Sequence, residues 1–264
     1  VIPPGRRAST LNPVPAPDCS IRMKKRIPCW FTLFGVIMGV VVVLPFLAPI
    51  FMAIGWSSIG KAIYFIYSFL CHQLPERSYF LFGPKLTYSL AEIQTAWQNT
   101  TSPLILRQFI GNPELGWKVA WSDRMVSMYA ATWIFSLFWW PVRRLVKPLP
   151  WWGLALFLLP MAVDGSIHFL SDLAGIGEGF RDSNAWLATL TNNAFTAGFY
   201  AGDAWGSFNS LMRLLTGVLF GIGIVWFSFP HLDLAFSTNE MTRPHFTQLR
   251  RSNALDVPGS EDKL

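Results

Sequence analysis

Apolar residues in this chain come in long blocks separated by shorter mixed segments, and the block lengths set the first expectation. A hydrocarbon core about 30 Å thick needs about 20 residues of helix at about 1.5 Å each. Four stretches reach that length, at about 30–56, 123–140, 151–170 and 211–229. The pattern predicts an all-α integral membrane protein with four transmembrane helices, and each stretch carries Trp or Phe near an end, as an aromatic belt at the lipid headgroups requires. Pro45 and Pro49 should kink the outer half of the first stretch, which neighbouring helices tolerate inside a bilayer. That stretch is too long for a cleaved secretory signal and reads as a retained signal anchor.

Between these spans lie two long connections, 57–122 and 171–207. Within the first, the apolar segment 59–70 is too short to cross and predicts an interfacial or re-entrant helix that delivers Cys71 and His72 to the surface. A short helix is expected over 89–98 and a turn at Gly111-Asn112-Pro113. The second connection opens with Gly175, Gly177 and Gly179, and 184–197 predicts an amphipathic helix lying on the membrane. Residues 1–29 read as a disordered basic cytoplasmic tail and 230–264 as a cytoplasmic C-terminal tail, poorly ordered beyond about 236. No internal repeat is visible.

Charge orients the spans. Arg6, Arg7, Arg22, Lys24, Lys25 and Arg26 precede the first against Asp18 alone, and Arg143, Arg144 and Lys147 join the second to the third with no acid among them. By the positive-inside rule both segments are cytoplasmic, so both termini are inside and both long connections face outward, in a cell (inner) membrane. The second connection agrees, with Arg181 set against Asp172, Glu178, Asp182 and Asp203.

Composition sharpens the class. The chain is 52% hydrophobic and 14% charged, which excludes a disordered, collagen-like or disulfide-scaffold protein. Its net charge of +6 sits at the edges of apolar runs, where lipid rather than nucleic acid is the expected partner. Cys19, Cys29 and Cys71 are too few and too scattered for a disulfide framework.

With this orientation, ionisable residues far apart in sequence reach one depth. Asp123 and Arg124 open the second span, Asp164 and His168 share a face of the third, Arg213 lies one turn inside the fourth, and His72 and Arg77 arrive from the first connection. Ionisable groups within spans face the bundle interior and find partners, so an outer-face polar cluster is expected. Its composition suits an anion site, a proton relay, a metal site or a structural lock. For metal, the candidates are His72, Asp164 and His168; for a phosphate or carboxylate, Arg77, Arg124 and Arg213. Structural ion pairs of the arginines with Asp123 and Asp164 are the preferred reading. Helix packing is expected at Gly35-x-x-x-Gly39 and Gly217-x-x-x-Gly221.

The segment Cys71-His72-Gln73-Leu74-Pro75-Glu76-Arg77-Ser78, then Asp123-Arg124 before Tyr129, Asp164-Gly165, and Arg213-x-x-Thr216-Gly217-x-x-x-Gly221 resemble a family of small polytopic prokaryotic membrane proteins known as domain of unknown function 2085. The resemblance covers about 30–229, interrupted by apparent insertions at 84–117 and 174–205. It carries over Cys71, His72, Gln73, Arg77, Arg124, Asp164 and Arg213, and implies no established activity. Where the family has Cys-x-Arg-Cys, this chain reads Ser122-Asp123-Arg124-Met125, without either cysteine.

Three function classes follow: a structural or accessory subunit of a membrane complex, a small-solute or ion translocator, and a membrane enzyme acting on a lipid or envelope substrate. The first is preferred, because no nucleotide motif or complete catalytic spacing is present. The sequence does not identify a cofactor. Trp97, Trp117, Trp121, Trp186 and Trp205 make the long connections the expected contact surface for other membrane subunits.

Overall fold

The computed structural model describes residues 27–255, with side chains described for 27–236; nearly all of the expected N-terminal tail, including Cys19, and residues 256–264 lie outside the described residues. The chain forms α1 (Cys29–Ala53), α2 (Ser57–Tyr67), β1 (Ser78–Leu81), α3 (Leu90–Ala96), α4 (Pro103–Leu106), β2 (Gly111–Asn112), β3 (Gly116–Ser122), α5 (Asp123–Val142), α6 (Trp151–Asp172), α7 (Phe180–Ser183), α8 (Ala185–Leu190), α9 (Ala197–Tyr200) and α10 (Phe208–Leu255). Four of these helices are long and apolar enough to cross a membrane: α1, α5, α6 and the 208–236 part of α10.

The last span packs on α5 because two glycines remove the side chains that would hold the helices apart. A Cβ on Gly217 would lie 2.0 Å from Ser127 Oγ, and one on Gly221 would lie 2.7 Å from both Ala131 Cβ and Thr132 N. The hydroxyls buried in this seam are satisfied within it: Ser127 Oγ donates to Arg124 O at 2.9 Å, Thr132 Oγ1 to Met128 O at 2.8 Å and Ser136 Oγ to Trp133 O at 2.6 Å. That polar seam explains why α5 has a mean hydropathy of only 1.2 against 2.6 for α1.

The glycine pair of α1 is engaged by an indole. A Cβ on Gly39 would meet Trp133 Cζ2 at 3.0 Å, and Trp133 Nε1 donates to the Gly35 carbonyl at 2.9 Å. One turn further toward the N-terminus of α1, Phe31, Trp139, Val225 and Phe229 form a core joined by Trp30 and Phe34.

The connection between α1 and α5 is a folded unit. Its sheet, order β1-β3-β2, is antiparallel, with Phe80 opposite Lys118 and Gly111 opposite Trp117. Short helices alone were expected here, so the sheet is a correction. Both faces of β3 are covered: Val119, Ala120 and Trp121 pack with Ala48, Met52, Ile63, Tyr64, Tyr67 and Cys71. A strand buried on both faces loses the apolar–polar alternation that would reveal it. A second core of Leu74, Phe80, Tyr88, Ile93, Leu106 and Phe109 takes in Ile176 from the other long connection.

Two further expectations need correction. The segment 184–197 is not one helix: α8 ends at Leu190, and Asn184, at φ 42°, breaks the chain from α7 in the left-handed region that Asn tolerates. Its side-chain amide holds the break by donating to Arg181 O at 2.7 Å and Tyr200 O at 2.8 Å. The backbone of α10 also stays helical to Leu255, well past the expected end of the span near 229.

Candidate functional site

Both long connections and the adjoining ends of α5, α6 and α10 meet at one end of the bundle, and there the buried charges assemble. Arg77 ends a one-turn 3-10 helix, Pro75–Arg77, that leads into β1. Its Nη1 and Nη2 donate to both oxygens of Asp172 at 2.6 and 2.7 Å, and its Nε donates to Asp203 Oδ2 at 2.8 Å. Arg213 faces it from α10. That guanidinium donates through Nε and Nη2 to the Asp123 carboxylate at 2.8–2.9 Å and through Nη1 to Asp203 Oδ1 at 2.5 Å. Asp172, Arg77, Asp203, Arg213 and Asp123 thus alternate in sign along a continuous chain.

A second group lies beside it. Asp164 accepts from Arg124 Nη2 at 2.6 Å and from Arg181 Nη2 at 2.9 Å, while the same Arg181 nitrogen lies 3.0 Å from His168 Nε2. The two groups together match four guanidiniums with four carboxylates. Charge-assisted forks of this kind are strong where water is scarce, and removing one member leaves its partner charged and buried.

Outside the spans, the electrostatics follow from burial. Desolvation alone would raise the carboxyl of Asp203, yet Arg77 and Arg213 hold it well below the usual carboxylate range. Desolvation pushes Glu76 up to about 7 and Lys118 down to about 7. Lys118 Nζ donates to Gln73 O at 2.7 Å and Arg107 O at 2.8 Å, whereas neither carboxylate oxygen of Glu76 has a hydrogen-bond partner. His72 presents an exposed edge while protein surrounds the rest of its ring, and desolvation followed by the charge of Arg77 lowers it to about 4.

His72, Arg77, Asp123, Arg124, His168 and Arg213 line one chamber of about 230 Å³, together with Ser122, Met125, Gly165, Phe169 and Asp172. Asp164 is not on that lining; it sits behind Arg124. Among the described residues no group of three or more His, Cys, Asp or Glu is placed to hold a metal ion, and the Asp164 carboxylate is occupied by two guanidiniums. Cys71 Sγ is buried against Ser122 Oγ at 3.4 Å and the Gln73 amide at 3.4 Å. Sequence reasoning missed Asp172, Arg181 and Asp203 as members of this network. They stood only as charges in the second connection, though Asp172 lies four residues from His168 and eight from Asp164, a helical spacing that places it near their face.

This geometry sits largely within the segment that other proteins share. Residues 114–227 match the family described as Predicted membrane protein (DUF2085). The matched segment contains Asp123, Arg124, Asp164, His168, Asp203 and Arg213, while His72 and Arg77 precede it. An uncharacterized protein of Methanocaldococcus jannaschii is 27% identical over 164 residues, covering 60% of this chain and 75% of its own. This archaeal relative accords with a prokaryotic family. No solved structure matches the chain.

Proposed function

We propose that this membrane protein is a structural or accessory subunit, oriented with both termini in the cytoplasm and both long connections on the outer side of the cell membrane. The observation that carries the reading is Asp203. Fully buried, it joins Arg77 of the first connection to Arg213 of the last span, so both connections are fastened to the bundle by one carboxylate. Each carboxylate in the two groups is consumed by a guanidinium, which leaves none free as a general base or nucleophile. The product of the network is therefore a rigid surface rather than a reaction centre. Phe180, Trp186 and Trp205 stand on that surface at 51–53% exposure, whereas Trp121 belongs to the core.

Photo-crosslinking in native membranes tests it. A photoreactive residue at Trp186 or Trp205 should give a discrete adduct with one membrane protein, and the full chain should migrate with that partner on native gels. A chain that crosslinks only to lipid and runs alone would overturn the proposal.

A further inference from the structure

The chamber beside the ion network has its acceptors filled and its donors spare. Of its two carboxylates, Asp172 is held through both oxygens by Arg77, and Asp123 through both oxygens by Arg213. Asp123 Oδ1 also accepts the Arg124 amide at 2.7 Å. Arg124 is the opposite case. One of its five guanidinium N–H groups is committed, to Asp164, and the side chain keeps 16% of its surface open.

His168 supplies a second, independent observation. Arg181 can only donate, so His168 Nε2 must accept, and the neutral ring then carries its proton on Nδ1. His168 is 4% exposed, lines the chamber, and its Nδ1 has no hydrogen-bond partner. His72 adds another donor by the same logic. Its Nδ1 accepts the Leu74 amide at 3.4 Å, which places the proton of the neutral ring on Nε2. With Arg77, Arg124 and Arg213 against Asp123 and Asp172, the lining carries one net positive charge. Directly behind it Asp164 and Arg181 cancel each other, and Asp203, held between Arg77 and Arg213, balances the surplus, so the site offers unfilled donors rather than net charge.

The mouth identifies what kind of molecule brings the acceptor. Phe169 on α6 is 66% exposed and lines the chamber together with Met125 on α5, so the polar pocket has an apolar lip on the outside of the bundle, level with the ends of two spans. Gly165 is part of the same construction. A Cβ there would lie 2.8 Å from Arg124 Nη1, so glycine gives the guanidinium room against α6 and a methyl group would push its tip aside.

We propose that this chamber binds a phosphate group, with Arg124 and His168 as its principal donors, and that Phe169 and Met125 receive the chains of an anionic phospholipid carrying it. The size of the chamber suits a phosphate and excludes the rest of a lipid, which would lie along the apolar lip between α5 and α6. This goes beyond the accessory role and stands whether or not a protein partner exists.

The test uses the full chain, purified in detergent and stripped of lipid, with binding read by native mass spectrometry and by melting temperature. The probes are short-chain phosphatidylglycerol, diacylglycerol of the same chain length, and inorganic phosphate. Phosphatidylglycerol should bind in a one-to-one complex and diacylglycerol should not. Arg124→Gln should weaken binding at least tenfold, and Arg124→Lys, which keeps the charge beside Asp164, should weaken it less. Should Arg124→Gln fail to fold, Gly165→Ala shifts the same guanidinium without removing a charge, and Phe169→Ala alters only the exposed lip. Loss of phosphatidylglycerol affinity in Phe169→Ala identifies the lipid as the source. Saturable binding of inorganic phosphate that depends on Arg124 but not on Phe169 retains the phosphate site and assigns it to the free ion. If neither phosphate-bearing probe binds, or if binding is unchanged in folded Arg124→Lys, Gly165→Ala and Phe169→Ala, the proposal is overturned.

Discussion

Arg213 grips Asp203 twice, through Nη1 to the carboxylate at 2.5 Å and through Nη2 to the backbone carbonyl at 2.9 Å. The nine residues between them are therefore closed into a loop, with Asp203 tied to the opening turns of the last span. Because Arg77, 126 residues away, holds the other carboxylate oxygen, Asp203 joins the first connection to the second connection and the last span.

Replacing that carboxylate should be costly. Asp203→Asn leaves two buried guanidiniums short of one negative charge, and breaking a buried pair from one side costs about 3–5 kcal/mol. The expected result is a large fall in melting temperature in detergent, with Asp203→Glu falling less. An Asp203→Asn protein that melts with the parent would show that the carboxylate does not fasten the connections.

Arg213 is coupled to Asp123 and not to Asp164. A double-mutant cycle of Arg213→Met with Asp123→Asn should return a coupling of about 1–3 kcal/mol. The same cycle with Asp164→Asn should return a value near zero, since Asp164 is held by Arg124 and Arg181. Equal coupling in the two cycles would contradict the geometry.

Glu76 predicts an unusual pH dependence. Its ordinary value of 4.5 is raised to about 7 by burial, ahead of the opposing charges of Arg77 and Lys118 and the like charge of Asp203. Between those two values the folded chain keeps a proton that the unfolded chain has lost, so stability falls as pH rises through that window. Lys118, lowered from 10.5 to about 7, acts in the reverse sense: above about 7 the unfolded chain holds the extra proton, and stability recovers with rising pH. Glu76→Gln should leave the melting temperature unchanged near pH 4 and raise it at pH 8, by roughly 1–3 kcal/mol of stability. A variant no more stable than the parent at pH 8 would refute the assignment.

The orientation is checked by labelling. Ser183 is exposed in the second connection and Cys29 is an exposed native thiol. In a chain with its three cysteines replaced by serine, Ser183→Cys should react with an impermeant maleimide added outside intact cells. Reaction only after the cytoplasm is opened would invert the assigned topology.

The spans were the most legible part of the sequence because the bilayer imposes one length and one polarity on every one of them. Asp123–Val142 and Trp151–Asp172 begin where the hydropathy pattern begins and run two residues past its end. The first helix stops at Ala53, three residues early, and the chain turns there into α2. Ion pairs were less legible. Arg77 and Asp203 are 126 residues apart, and whether they meet depends on how two connections fold rather than on any local period. Val119 to Trp121 hid its strand for a related reason, since a segment apolar on both faces carries no phase. Arg124 and Asp164, by contrast, could be placed at one depth, because helices convert sequence distance directly into height.

The order in which the chain leaves the ribosome gives the ion network another meaning. When residues up to Val142 have emerged, Arg77 and Asp123 are already made but none of Asp172, Asp203 and Arg213 exists. At that stage Arg77 and Asp123 have no partners, and Asp123 keeps none until the last helix brings Arg213. Asp172 and Arg181 complete part of the network first, and the last step comes when Asp203 and Arg213 enter almost together and join the two connections. A chain truncated before Ala201 would still pair Arg77 with Asp172 but would leave the Asp123 carboxylate without its guanidinium, the kind of mark by which membrane quality control distinguishes an unfinished protein from a finished one.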